Sequence, residues 1–126
     1  MKQQVSLDLM EFVEKNILPR YAEFGRSHGL EHVTRVIRNA LQLVNTTGAD
    51  IDMVYVIAAY HDLGMSGPRA IHHITGGKIL QADARLKKWF STEKIKIMKE
   101  LIKLPINFMK RLKNYYLRLK IVMRLI

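Results

Sequence analysis

Hydrophobic residues recur at helical spacing near the start of the chain and predict an amphipathic helix there. The residues that share this face are Leu9, Phe12, Val13, Ile17 and Tyr21. We expect the helix to begin after Ser6, which occupies the N-cap position, and to be interrupted near Pro19.

A second stripe follows the polar loop at residues 25–29 and gives the clearest helical pattern in the sequence. Its members are Val33, Val36, Ile37, Ala40, Leu41 and Val44. The run Asn-Thr-Thr-Gly at residues 45–48 ends it, and Asp50 is placed to start the next element.

The third segment, residues 51–62, is almost entirely apolar, so its periodicity does not separate a buried helix from a buried strand. No other part of the chain alternates with period two, and a lone strand would leave its backbone groups unpaired. We therefore interpret it as a fully buried helix. Further on, the pattern predicts a loop at residues 64–69, a helix at about 70–80, a short helix at 85–90 and a longer one from Thr92. The expected fold is all-α, one compact domain of about five to seven helices.

The amino-acid composition limits the number of domains and the kinds of metal ligand that this chain can have. A chain of 126 residues fits one domain, and because it contains no cysteine any metal must bind nitrogen and oxygen ligands. The first residues do not resemble a signal peptide, and no apolar stretch reaches the length of a transmembrane segment. Because neither feature is found, we expect a cytoplasmic protein. The sequence does not indicate its oligomeric state.

The net charge of +10 raises the question of nucleic-acid binding. Residues 1–100 carry 14 Lys and Arg against 11 Asp and Glu, whereas residues 101–126 carry 7 Lys and Arg and no acid. Because the excess is concentrated in the last segment, nucleic acid is an unlikely partner for the rest of the chain.

Histidines are clustered along the chain. They are His28, His32, His61, His72 and His73, and Asp62 follows His61 directly. An ionised carboxylate at the end of a buried helix is costly unless it is paired or bound to a cation. In most His-Asp pairs the aspartate caps the following turn or forms an ion pair with an arginine, and Asp62 can have this structural role. Alternatively, Asp62 binds a metal ion together with neighbouring imidazoles.

Three motifs in order resemble the small domains of the HD superfamily, which are helical metal-dependent phosphohydrolases: SHGLEHVTRVIRNALQL, VIAAYHDLG and HHITGGKIL. The resemblance covers roughly residues 8–100 and supports the all-α expectation. It implies a divalent cofactor, with manganese, magnesium, iron, nickel and zinc all open, and a nucleotide or other small phosphate ester as substrate.

By this resemblance, His32 matches the first family histidine, and His61 and Asp62 match the adjacent pair, so these three are the expected metal ligands. Asp62 is also the expected catalytic residue, which orients or deprotonates the attacking water. Candidates for a second metal or for substrate phosphate are His28, His73 and Arg35. Each also has a purely structural explanation. His28 can be a loop residue, His73 a residue at the start of a helix, and Arg35 a surface residue that pairs with an acidic side chain.

One family feature is missing from the sequence. Related domains place a last aspartate ligand in a later helix, yet no Asp or Glu follows Glu100. We therefore expect that the chain hydrolyses phosphate esters weakly or not at all. The alternative function is a non-catalytic helical metal-binding or interaction module.

The last segment, residues 101–126, departs from the family pattern, and we distinguish it from the HD-like helical domain, residues 1–100. Its apolar residues follow helical spacing with lysines and arginines between them, which predicts a basic amphipathic helix. Three interpretations stay open: a surface for a membrane, protein or nucleic-acid partner, a last helix that completes the core, or sequence from an altered reading frame.

Overall fold

The chain is all-α, as its periodicity predicts. A computed structural model describes residues 4–25, 29–47 and 49–103, and no β-strand occurs among them. Its α-helices, in chain order, are α1 (Leu7–Asn16), α2 (Leu30–Thr47), α3 (Ile51–Tyr60), α4 (His72–Ala82) and α5 (Thr92–Lys103). His28 and the basic segment from residue 104 onward lie outside the described residues, so the predictions made for them are not tested here.

Helix α3 occupies the centre of the fold and contacts α1, α2, α4 and α5. Every residue of α3 except Asp52 is buried, which explains why this segment is apolar on all sides. Its first turn is capped by Asp50, whose carboxylate accepts a hydrogen bond from the Met53 amide at 3.1 Å. The interpretation of this segment as a buried helix is confirmed.

The N-terminal region differs from the expectation in one detail. Ser6 precedes α1 as predicted, but its side chain does not cap the helix. Its hydroxyl donates to Asp52 at 2.6 Å, and its amide donates to the same carboxylate at 2.9 Å. Ser6 therefore joins the start of α1 to the start of α3. The interruption expected near Pro19 is a 3-10 helix, Leu18–Glu23, which follows α1.

The segments after α3 are more helical than the sequence suggested. The predicted loop at residues 64–69 contains a 3-10 helix, Leu63–Ser66, and the first residue of another, Arg69–Ile71, which leads into α4. The predicted short helix at 85–90 is also a 3-10 helix, Ala84–Lys88. None of the helices in the described ranges is long and apolar enough to cross a membrane.

Candidate metal centre

Two separate parts of the chain bring the three predicted metal ligands together. His32 lies in the first turn of α2, while His61 and Asp62 follow the last residue of α3. The Nε2 atoms of His32 and His61 lie 3.4 Å and 3.3 Å from Oδ2 of Asp62. One ligand atom from each residue lies within 4.8 Å of the others, a spacing that can surround one ion.

The ring of His61 is held by the last turn of α3. Its Nδ1 lies 2.6 Å from the carbonyl oxygen of Ala58, and since a carbonyl only accepts, Nδ1 carries the hydrogen. Its other nitrogen, Nε2, faces the Asp62 carboxylate. A hydrogen bond from the far nitrogen to a backbone carbonyl is how metal-binding histidines are commonly oriented.

Asp62 faces the same point as His61 because the backbone leaves helical geometry at this residue. Adjacent residues of a regular helix point about 100° apart and do not face each other. Asp62 has φ −105° and ψ 8°, in the region between helix and strand where many active-site residues are found. This turn directs both consecutive side chains toward His32.

Burial makes the cluster asymmetric. Asp62 and His61 are buried, with 4% and 8% of their surface exposed, whereas the His32 side chain is 31% exposed. A carboxylate so far from water needs compensating partners. The two buried groups thus lie at the end of α3, and the His32 side chain is the most exposed of the three.

The structure adds His72, for which no role was predicted from the sequence. Its Nε2 lies 3.7 Å from Oδ1 of Asp62, and its Nδ1 lies 2.8 Å from the Arg69 carbonyl, so it is oriented as His61 is. The spacing of residues along α4 indicates why His72, rather than His73, lies beside Asp62. His72 is one turn before Gly76, and a Cβ at Gly76 would lie 3.1 Å from the His61 carbonyl oxygen. His72 thus shares the face of α4 that packs on the end of α3.

Of the other candidates, the structure describes His73 and Arg35. His73 is one turn before Gly77, where an added Cβ would lie 3.1 Å from the Lys99 carbonyl oxygen on α5. Its ring centroid is 5.7 Å from that of His72, and no hydrogen bond or ion pair links it to Asp62 in the described part of the chain. Arg35 is exposed on α2. The roles predicted for His73 and Arg35 stay predictions.

Comparison with known proteins identifies the class to which this helical fold and histidine-aspartate cluster belong. The HD domain family matches residues 29–125, and the chain therefore belongs to this family. The match includes the ligand cluster and continues through most of the basic segment, beyond the residue 100 where we expected the resemblance to end. Neither a curated protein nor a solved structure matches the chain. The division into two units at residue 100 stays a prediction.

Proposed function

We propose that the chain is a metal-dependent phosphohydrolase that acts on a nucleotide or another small phosphate ester. Membership of the HD domain family supports the reaction class. The geometry at Asp62 supports a cation at this position, with His32, His61 and Asp62 as its ligands.

The observation that carries the proposal is the convergence of His32, His61 and Asp62, which offer ligand atoms within 4.8 Å of one another. Nδ1 of His61 lies 2.6 Å from the Ala58 carbonyl oxygen, which orients the ring so that Nε2 faces the Asp62 carboxylate. Asp62 is buried, and an ionised carboxylate away from water is stabilised by a neighbouring positive charge. A divalent cation would supply that charge, and two imidazoles with a carboxylate suit manganese, iron, nickel, zinc or magnesium.

The groups around the centre would have different roles in hydrolysis. When bound, a divalent cation polarises a phosphoryl oxygen and makes a coordinated water more acidic. The Asp62 carboxylate would orient the attacking water or accept a proton from it. His72, whose side chain is 31% exposed, lies beside Asp62, where a phosphate group would approach the site.

The ligand set supplies one negative charge, because Asp62 is its single carboxylate and no acidic residue follows Glu100. A site with a second carboxylate would hold a divalent ion more tightly. Lysine and arginine in the basic segment cannot replace it, since their charged groups repel the ion and have no lone pair. We therefore expect turnover limited by metal occupancy.

The test uses the full chain, stripped of metal and then loaded with manganese, with p-nitrophenyl phosphate and a set of nucleotides as substrates. We expect slow, manganese-dependent release of product that disappears in Asp62→Asn. Lys96→Gln, an exposed change on α5, serves as the matched control and should retain the wild-type rate. Equal rates in wild type and Asp62→Asn, or no turnover by a manganese-loaded chain, would overturn the proposal and favour a non-catalytic module.

A further inference from the structure

A tyrosine from the N-terminal part of the chain reaches the turn that carries Asp62. Tyr21 lies in the 3-10 helix Leu18–Glu23 and has no exposed surface. Its hydroxyl donates a hydrogen bond of 2.5 Å to the carbonyl oxygen of Ala59 and accepts one of 3.3 Å from the amide of Asp62. One side chain thus satisfies two backbone groups at the end of α3.

These contacts replace bonds that a continuing helix would make. In a regular helix the Asp62 amide would donate to the carbonyl four residues earlier, at Ala58. Here the Ala58 carbonyl accepts Nδ1 of His61, and the Asp62 amide donates to Tyr21. This replacement of helix hydrogen bonds accompanies the change of backbone direction at Asp62, which lets two consecutive side chains face one point.

The directions of the two Tyr21 hydrogen bonds follow from their partners. A carbonyl oxygen only accepts and an amide N–H only donates, so the hydroxyl is the donor to Ala59 and the acceptor from Asp62 at the same time. These two roles require a hydroxyl group, which phenylalanine lacks.

We infer that Tyr21 is a positioning residue for the metal centre: its hydroxyl holds the turn at Asp62 in the geometry that directs Asp62 and His61 toward one ion. The inference rests on the proposed function for the presence of the ion. The family match begins at residue 29, so Tyr21 lies outside the matched region. The N-terminal segment of this chain thereby contributes to a site whose ligands all lie within the match.

The first test compares manganese affinity in two tyrosine variants of the full chain. Tyr21→Phe removes the hydroxyl and keeps the ring in the core. Tyr60→Phe is the matched control, because Tyr60 is also buried and its hydroxyl donates at 2.8 Å to Asp83, which is not a ligand candidate. Loss of an outer hydrogen-bond partner weakens metal binding by about 10- to 100-fold. We expect that loss in Tyr21→Phe, wild-type affinity in Tyr60→Phe, and a lowered melting temperature in both.

The second test needs no metal. Amide hydrogen exchange, measured by nuclear magnetic resonance, should show a protected Asp62 amide in the wild type and in Tyr60→Phe, and faster exchange at Asp62 in Tyr21→Phe. Equal manganese affinity in wild type and Tyr21→Phe would overturn the inference. So would an unprotected Asp62 amide in the wild type, a result that does not depend on whether the variant folds.

The two measurements also separate this inference from the proposed function. A wild-type chain that binds no manganese contradicts the proposed metal centre itself. Exchange at Asp62 then decides alone whether Tyr21 holds the turn: faster exchange in Tyr21→Phe supports that role, and unchanged exchange overturns it.

Discussion

The α-carbon of Gly64 lies against the backbone of His72. A Cβ at Gly64 would come within 2.6 Å of the His72 carbonyl carbon and 2.7 Å of the Gly76 amide nitrogen, both of which are backbone atoms. The turn after α3 can therefore pack on the first turn of α4 only where the side chain is absent. This close approach places His72 beside Asp62.

We accordingly expect Gly64→Ala to destabilise the protein, because α4 must move away from the turn. The free energy of unfolding should fall by about 2 to 3 kcal/mol. Gly67→Ala is the matched control in the same segment: its added Cβ would be 3.7 Å from the nearest atoms, and its backbone is extended. Chemical denaturation of both variants measures the difference, and equal stability would show that the turn adapts without cost.

His61→Ala should abolish stabilisation by manganese and leave a folded helical protein. An ion that binds only the native state stabilises it by about 2.7 kcal/mol at a free concentration 100 times its dissociation constant. Thermal melts with and without manganese should therefore show a rise for the wild type and none for the variant. If both gain the same melting temperature, manganese binds elsewhere and His61 is not a ligand.

The neighbouring histidines of α4 should behave differently. His72 faces Asp62 at 3.7 Å, whereas His73 lies on the face of α4 that packs toward α5. We expect His72→Ala to weaken manganese binding or turnover by about 10-fold, as loss of a group beside a metal ligand commonly does. His73→Ala should remain close to wild type in both measurements. The reverse order would restore the role that the sequence suggested for His73.

Asp83 should stabilise the fold in a pH-dependent manner. Burial alone would raise its pKa, but hydrogen bonds from Arg85 and Tyr60, with the Arg85 charge, outweigh this effect and lower it. Because the folded-state pKa is depressed, the stabilisation is complete above the ordinary value of 3.8 and is lost as the pH falls through the folded-state pKa.

Asp83→Asn should therefore lower the free energy of unfolding by about 1 kcal/mol at neutral pH, a modest value because Arg85 is exposed to solvent. The difference between wild type and variant should shrink in acid, below the ordinary pKa of an aspartate. Denaturation at several pH values measures it. A difference that stays constant from neutral to acidic pH would show that the Asp83 charge contributes nothing.

The sequence alone determined the positions of the main α-helices and the identity of the principal ligand candidates. Local spacing of apolar residues decides which face of a segment is buried, so α1 and α2 could be located from their stripes. The central position of α3 followed from its apolar character on all sides, since only a fully enclosed helix can lack a polar face. His32, His61 and Asp62 were identified by motif, and the fold brings them within one ion's reach.

Tertiary structure decided the remaining features of the site, because they depend on contacts between segments distant in the chain. His72 rather than His73 faces Asp62 because the close packing at Gly64 and Gly76 fixes the rotation of α4 about its axis. Tyr21 follows the helical spacing of an ordinary core residue, and no local sequence pattern shows which groups its hydroxyl contacts. Only the packed fold brings it to the Asp62 amide, where the backbone leaves the helix.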